Sequence, residues 1–146
     1  MQLIENWWVS DRFEAVLEFT LGITEAEEPH DSFRENALAK ARHACLATSL
    51  PALADDSGLC VDALGGAPGV HSARFAGEPK SDLRNNQKLL ADLSVHDNRS
   101  AHYVCVMVLM RGPRDTRPLA AQAEWHGEIA RAPRGFFRPG ASPLPW

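Results

Sequence analysis

Apolar residues recur along this chain with different periods, and each period predicts a different element. Over residues 33–48, Phe33, Ala37, Ala41, Ala44 and Cys45 return at helical spacing, which predicts an amphipathic helix. Ser32 and Glu35 stand at its start with the S-x-x-E spacing of a capping box, in which each side chain satisfies an otherwise unpaired amide. Residues 81–93 predict a second helix, with Leu83, Leu90 and Leu93 on one side. Residues 101–110 (AHYVCVMVLM) are apolar almost throughout, as a central strand covered on both faces would be. Residues 119–129 alternate instead, Leu119, Ala121, Ala123 and Trp125 against Gln122, Glu124 and His126, which predicts a strand with one wet face. A short buried strand is expected at 51–55 (PALAD). Helices combined with long strands point to an α/β fold.

Between these elements the chain is punctuated. Residues 24–31 (TEAEEPHD) are acidic and contain a proline, so they read as loop. Residues 64–79 are rich in glycine and proline, and residues 11–20 suit either a short helix or an irregular strand. The tail, 132–146, carries four prolines in fifteen residues, and regular structure is expected to stop near Ala132. Neither an internal repeat nor a low-complexity segment interrupts the pattern.

Size and charge narrow the class. A chain of 146 residues suits one domain, 1–146, burying roughly 68–70% of its unfolded surface. A net charge of −4 argues against unaided, non-specific nucleic-acid binding. It also means that an anionic substrate needs a metal or local basic residues to attract it. The apolar run at 104–110 is far short of the ~20 residues that span a bilayer. The first ten residues lack the basic region and apolar core of a signal peptide. Cys45, Cys60 and Cys105 have no metal-ligand spacing and read as buried free thiols in a reducing compartment. A cytoplasmic protein is expected.

The candidate chemistry gathers at ADDSG, residues 54–58. A strand that runs out of apolar residues into Asp55 and Asp56 delivers two carboxylates to the carboxyl-end edge of a sheet, where ligands collect in open α/β folds. Two hard oxygen donors suit magnesium, which takes carboxylates plus substrate phosphates. A carboxylate beside a metal-acidified water can serve as general base. Ser57 offers a hydroxyl or amide donor, and Gly58 permits close backbone approach. The same letters also fit an Asx-type turn after a strand. On the first helix Lys40 shares the side of Ala37 and Ala44, so its ammonium either snorkels to water or enters a polar site. Glu27 and Glu28 offer further carboxylates, or are an ordinary solvated loop. The 64–79 stretch, with His71 and Arg74, suits a phosphate or base loop and equally a plain connection.

Taken in order, SFRENALAKAR, LPALADDSGLCVDALGGAPGVHSARFAGE, AHYVCVMVL and EWHGEIARAPRG resemble the inosine triphosphate pyrophosphatase family over residues 21–135. The GGAPG–HSARFAG passage speaks against the related septum-inhibitor fold. The resemblance implies a two-lobed α/β molecule with a mixed central sheet, flanking helices and a cleft, often a homodimer. It implies magnesium-dependent hydrolysis of the deaminated purine nucleotides ITP, dITP and XTP to the monophosphate and pyrophosphate. Carried across, Asp56 is the catalytic base and a metal ligand, and Asp55 supports the site. Ser57 and Arg74 contact substrate, with Arg74 the weaker candidate. Lys40 reaches the phosphates, and Glu27 or Glu28 is the second metal carboxylate. The family's opening S/T-x-N-x-x-K phosphate loop is not found in residues 1–19. Of its GFGYDP-like base loop only Gly135 and Phe136 remain, and the later lysine and Ser-His-Arg signature are not found. The expectation is a fold incomplete at both ends that keeps the metal-and-water half of the site. The alternative is a weak or inactive relative that binds only nucleotide, metal or a partner chain.

Overall fold

The structure, a computed structural model, describes residues 22–24, 26 and 28–133. The expectations for residues 11–20, for Glu27 and for the tail from residue 134 lie outside the described residues. In chain order the elements are α1 (Phe33–Thr48), β1 (Ala52–Val61), two 3-10 turns (Asp62–Leu64 and Gly69–Arg74), α2 (Asp82–Asp92), a third 3-10 turn (Leu93–Val95), β2 (Ser100–Met110) and β3 (Leu119–Glu128). Helices pack on a sheet, as the α/β reading requires. The described sheet has the order β1-β2-β3 and is antiparallel throughout.

α1 begins and ends where its sequence provides partners for the backbone groups left over at a helix terminus. The Ser32 side chain accepts from the Glu35 amide, which is the Ser32 half of the expected box. At the other end Ser49 turns left-handed (φ 60°) and its amide bonds to the Cys45 carbonyl at 2.8 Å. The buried stripe is made of small residues. Ala37, Ala41 and Cys45 pack on Val104, Val106, Val108 and Met110 of β2, and their size lets the helix axis lie close to the strands. A second cluster joins Leu59, Val61 and Ala101 of the sheet to Leu89 of α2, Leu93 of the third 3-10 turn and Ile129. Since side chains alternate across a strand, these two clusters use opposite faces.

Three expectations change in detail. On α2 the buried residues are Asn85 and Leu89, followed by Leu93, and Leu83 is exposed. The stripe runs 85, 89, 93 at four-residue spacing, and Leu83 lies off it. β2 is central, but only its even-numbered face is covered along its length, and Met107 opposite is exposed. β3 is exposed at every position, with Trp125 71% exposed. Among the described residues it is an edge strand, whose apolar alternation continues the Leu53–Met107 face of the sheet and meets no helix.

The largest change concerns ADDSG. The strand does not stop at Asp55. β1 is ten residues long and pairs in register through Asp55↔Met107, Asp56↔Val106, Ser57↔Cys105 and Gly58↔Val104. The two carboxylates therefore sit mid-strand and on opposite faces, not together at a strand end. Gly58 has its own reason. A Cβ there would lie 2.4 Å from the Gly69 carbonyl oxygen, 2.7 Å from Ser72 Oγ and 3.0 Å from the Phe33 ring. The close approach it permits is to the chain's own 69–74 turn. That turn and the segment just before it cover the edge of β1 not paired with β2, where the Leu59 amide donates to Ser72 Oγ at 2.9 Å and the Val61 amide to the Ala67 carbonyl at 3.1 Å.

Gly58→Ala is accordingly expected to destabilise the protein by about 3 kcal/mol, the upper end of overpacking costs, because backbone rather than a flexible side chain must move. A lowered urea midpoint at unchanged slope checks this, and a midpoint equal to that of the parent contradicts it.

Candidate active site

Four elements bring charged groups to one place. α1 contributes Asn36 and Lys40, which are four residues apart and so lie on one side of the helix. β1 contributes Asp56 from the face that packs on α1. The loop before α1 contributes Glu28, and the 69–74 turn contributes Arg74. The centre of the arrangement is the Lys40 ammonium. It lies 2.5 Å from Glu28 Oε1, 3.0 Å from Asp56 Oδ1 and 3.1 Å from the Asp55 carbonyl oxygen. An ammonium has three donors, and all three are engaged. Of the two readings of Lys40, the structure shows the one in which it enters a polar site.

Burial makes these contacts matter. Asp56 is only 6% exposed, so its charge must be compensated by partners rather than by water. Its second oxygen, Oδ2, accepts from Asn36 Nδ2 at 3.3 Å. Burial alone would depress the Lys40 pKa, but hydrogen bonds and charges from Glu28 and Asp56 outweigh it and raise it above the ordinary 10.5.

Glu28 is held from three directions. Arg74 places its guanidinium 4.0 Å from Glu28 Oε2 and donates to the Glu28 carbonyl at 3.5 Å. The loop itself is tied to α1. His43 Nε2 faces the Thr24 carbonyl at 3.0 Å, and the His30 peptide bonds to Asn36 through both its N–H and its C=O, at 3.0 Å each. Sequence reading singled out neither Asn36 nor His43. Their signal was spacing, since Asn36, Lys40 and His43 recur at three and four residues beside the alanine stripe.

Asp55 and Ser57 take different positions. The Asp55 side chain is exposed on the opposite face of the sheet, and its link to the cluster is its carbonyl. Ser57 also faces that side, where its hydroxyl shares a 3.0 Å hydrogen bond with the Tyr103 hydroxyl. Glu27 lies outside the described residues.

Glu28 and Asp56 thus present two hard oxygen donors to a single cationic atom. Among the described residues no group of three or more His, Cys, Asp or Glu side chains is arranged to hold a metal by itself. Magnesium does not need one, because it binds through one or two carboxylates while phosphates and waters complete its shell. The donor set fits that ion rather than a closed structural cage of nitrogen and sulfur ligands. All three thiols, Cys45, Cys60 and Cys105, are free. No helix among the described residues is long and apolar enough to cross a membrane.

Comparison with known proteins identifies the family of the chain. The sequence model of the Ham1 family matches residues 4–139. A dITP/XTP pyrophosphatase of Nitrosomonas europaea is 59% identical over 122 residues, covering 84% of this chain and 60% of the relative. One from Aromatoleum aromaticum is 57% identical over 131 residues, covering 90% and 66%. The chain therefore spans about three fifths to two thirds of the length of these curated relatives. Among solved structures, a HAM1 protein from Coxiella burnetii superposes with a TM-score of 0.79 at 45% identity, covering 88% of this chain and 65% of that one. The Staphylococcus aureus Ham1 protein gives 0.76 at 39% identity, with the same coverage.

The ion-pair geometry makes a prediction about pH. Removing one partner of a buried pair costs ~3–5 kcal/mol. Lys40 is partly solvated, so Lys40→Met is expected to destabilise by about 2 kcal/mol. Because the folded pKa is raised, this stabilisation is complete below the ordinary value of 10.5 and is lost as pH rises through the folded value. Urea unfolding from pH 8 to 11 should show a constant gap between parent and variant that closes only at the alkaline end. A gap that is absent at pH 8 would contradict the assignment.

Proposed function

The chain belongs to the Ham1 family, and we propose that it is a magnesium-dependent pyrophosphatase of deaminated purine nucleotides, converting ITP, dITP or XTP to the monophosphate and pyrophosphate. The observation that carries this reading is the convergence of Glu28 and Asp56 on one cationic position, with Asp56 buried and held at both oxygens. The names of the similar proteins, dITP/XTP pyrophosphatases, supply the substrate class.

Asp56 acts as general base. Lys40 and Asn36 take one lone pair on each of its oxygens, and the remaining lone pairs can accept a proton. The water that gives up this proton forms a new P–O bond at the α–β phosphoanhydride. The bridging P–O bond breaks, and pyrophosphate leaves with the bond's electron pair. Magnesium, held by Asp56 with Glu28 or Glu27, would neutralise phosphate charge and make a bound water more acidic. Lys40, on a flexible four-carbon stem, turns donors from the carboxylates to phosphate oxygens. Arg74 balances Glu28 and borders the substrate. Asp55 steadies Lys40 through its carbonyl, and Ser57, the expected substrate contact, stands with Tyr103 on the opposite face of the sheet from Asp56, so its hydroxyl takes no part in the step at Asp56. The assembly is a cytoplasmic homodimer in which residues 1–146 form one domain.

Pyrophosphate release from dITP, with dATP as the control, tests the reading. Release should require magnesium and favour dITP. Asp56→Asn should lower turnover by ~10²–10⁴-fold, the range of general-base contributions. Undiminished turnover by that variant would refute the role of Asp56, and binding of dITP without release would leave a non-catalytic nucleotide-binding relative. Sedimentation velocity at micromolar concentration should give the mass of a dimer, and a monomer would remove that part of the proposal.

A further inference from the structure

Asn36 is 1% exposed and interrupts the apolar side of α1 with an amide. A buried amide is costly unless its hydrogen-bonding groups are met, and here each bond goes to a part of the carboxylate site. Its Oδ1 accepts from the His30 amide at 3.0 Å, and its Nδ2 donates to the His30 carbonyl at 3.0 Å and to Asp56 Oδ2 at 3.3 Å. The two hydrogens of one NH2 group therefore tie two separate segments together. One holds the loop two residues beyond Glu28, and the other holds the carboxylate of Asp56.

We propose that Asn36 is the positioning residue of this site, setting the Asp56 carboxylate and the Glu28 loop at the separation a divalent cation requires. The proposal rests on the metal-binding reading above and deepens it. Lys40 and Asn36 divide the work by chemistry. Lys40 draws the two carboxylates together by charge, yet an ammonium on a long flexible stem fixes little orientation. Asn36 supplies direction. With Oδ1 of Asp56 on Lys40 and Oδ2 on Asn36, the plane of the carboxylate is set at both ends. Its grip on both polar groups of the His30 peptide keeps the Glu28 loop from sliding along the helix. Outer partners of this kind hold metal ligands in place, and their loss typically weakens metal binding by ~10–100-fold.

The alternative is that Asn36 only stabilises the fold, and a control residue separates the two roles. Arg99 also makes three partly buried bonds to backbone, donating to the carbonyls of Ile129 (2.6 Å), Ala130 (3.0 Å) and Leu93 (3.4 Å). It lies seven residues before Val106, the partner of Asp56 across the sheet, so its loss harms stability away from the carboxylates. The experiment is Mn2+ binding, with the metal alone, followed by electron paramagnetic resonance well below each variant's melting temperature. Asn36→Leu keeps the branched shape and the number of heavy atoms and loses all three bonds. It should bind Mn2+ ~10–100-fold more weakly than the parent, while Arg99→Met is less stable but binds as the parent does. Should Asn36→Leu not fold, Asn36→Ser, too short to span from His30 to Asp56, should show the same loss. Parent-like affinity in a folded Asn36 variant overturns the proposal and leaves the metal reading standing. Equal losses in the Asn36 and Arg99 variants overturn it as well. No Mn2+ binding by the parent overturns the metal reading and this proposal with it.

Discussion

One ammonium bridging two carboxylates is the interaction around which this part of the molecule is organised. Glu28 and Asp56 come from segments that share no regular structure, and at close range they repel. Lys40 makes their proximity tolerable by touching both, at 2.5 and 3.0 Å. The strand can then bury an aspartate mid-length beside the alanine-lined side of α1. A buried charge left without that partner would be costly, so α1, β1 and the acidic loop are held in register by a charge requirement as well as by packing.

The surrounding structure makes that register possible. Ala37, Ala41 and Cys45 keep α1 close to β2, which brings Asn36 and Lys40 down to the level of Asp56. Gly58 lets the 69–74 turn press against β1, and the same turn carries Arg74 to Glu28. His43 and Asn36 tie the loop to the helix. Packing, glycine geometry and polar bonds all restrain the same small group of oxygens. That is the preorganisation expected where charge is to be handled in a dry site.

Much of this was legible in the residues themselves. The bounds of α1, its Ser32 cap, the second helix and the two long strands followed from periodicity, because those segments obey a single period over ten or more residues. The place of Lys40 on the side of the apolar stripe was also readable, but its partners were not, since the residues alone left open whether its ammonium snorkels to water or meets Asp56 and Glu28. What misled was aspartate's poor strand propensity. It suggested that β1 ended at Asp55, whereas cross-strand pairing and the Lys40–Asp56 contact carry the strand through to Val61. Gly58 was readable as a point of close backbone approach, but the residues did not tell that the approaching group is the chain's own 69–74 turn. Asn36 went unnoticed because its four-residue spacing from Lys40 points to no role until its partners in the loop and the strand are in view.

The most direct test is where a divalent cation sits in crystals of the protein soaked in Mn2+, located by anomalous scattering. The account predicts a peak bonded to oxygens of both Asp56 and Glu28, with the Lys40 ammonium displaced from between them. A peak bonded to neither carboxylate, with Lys40 still bridging the pair, would contradict it.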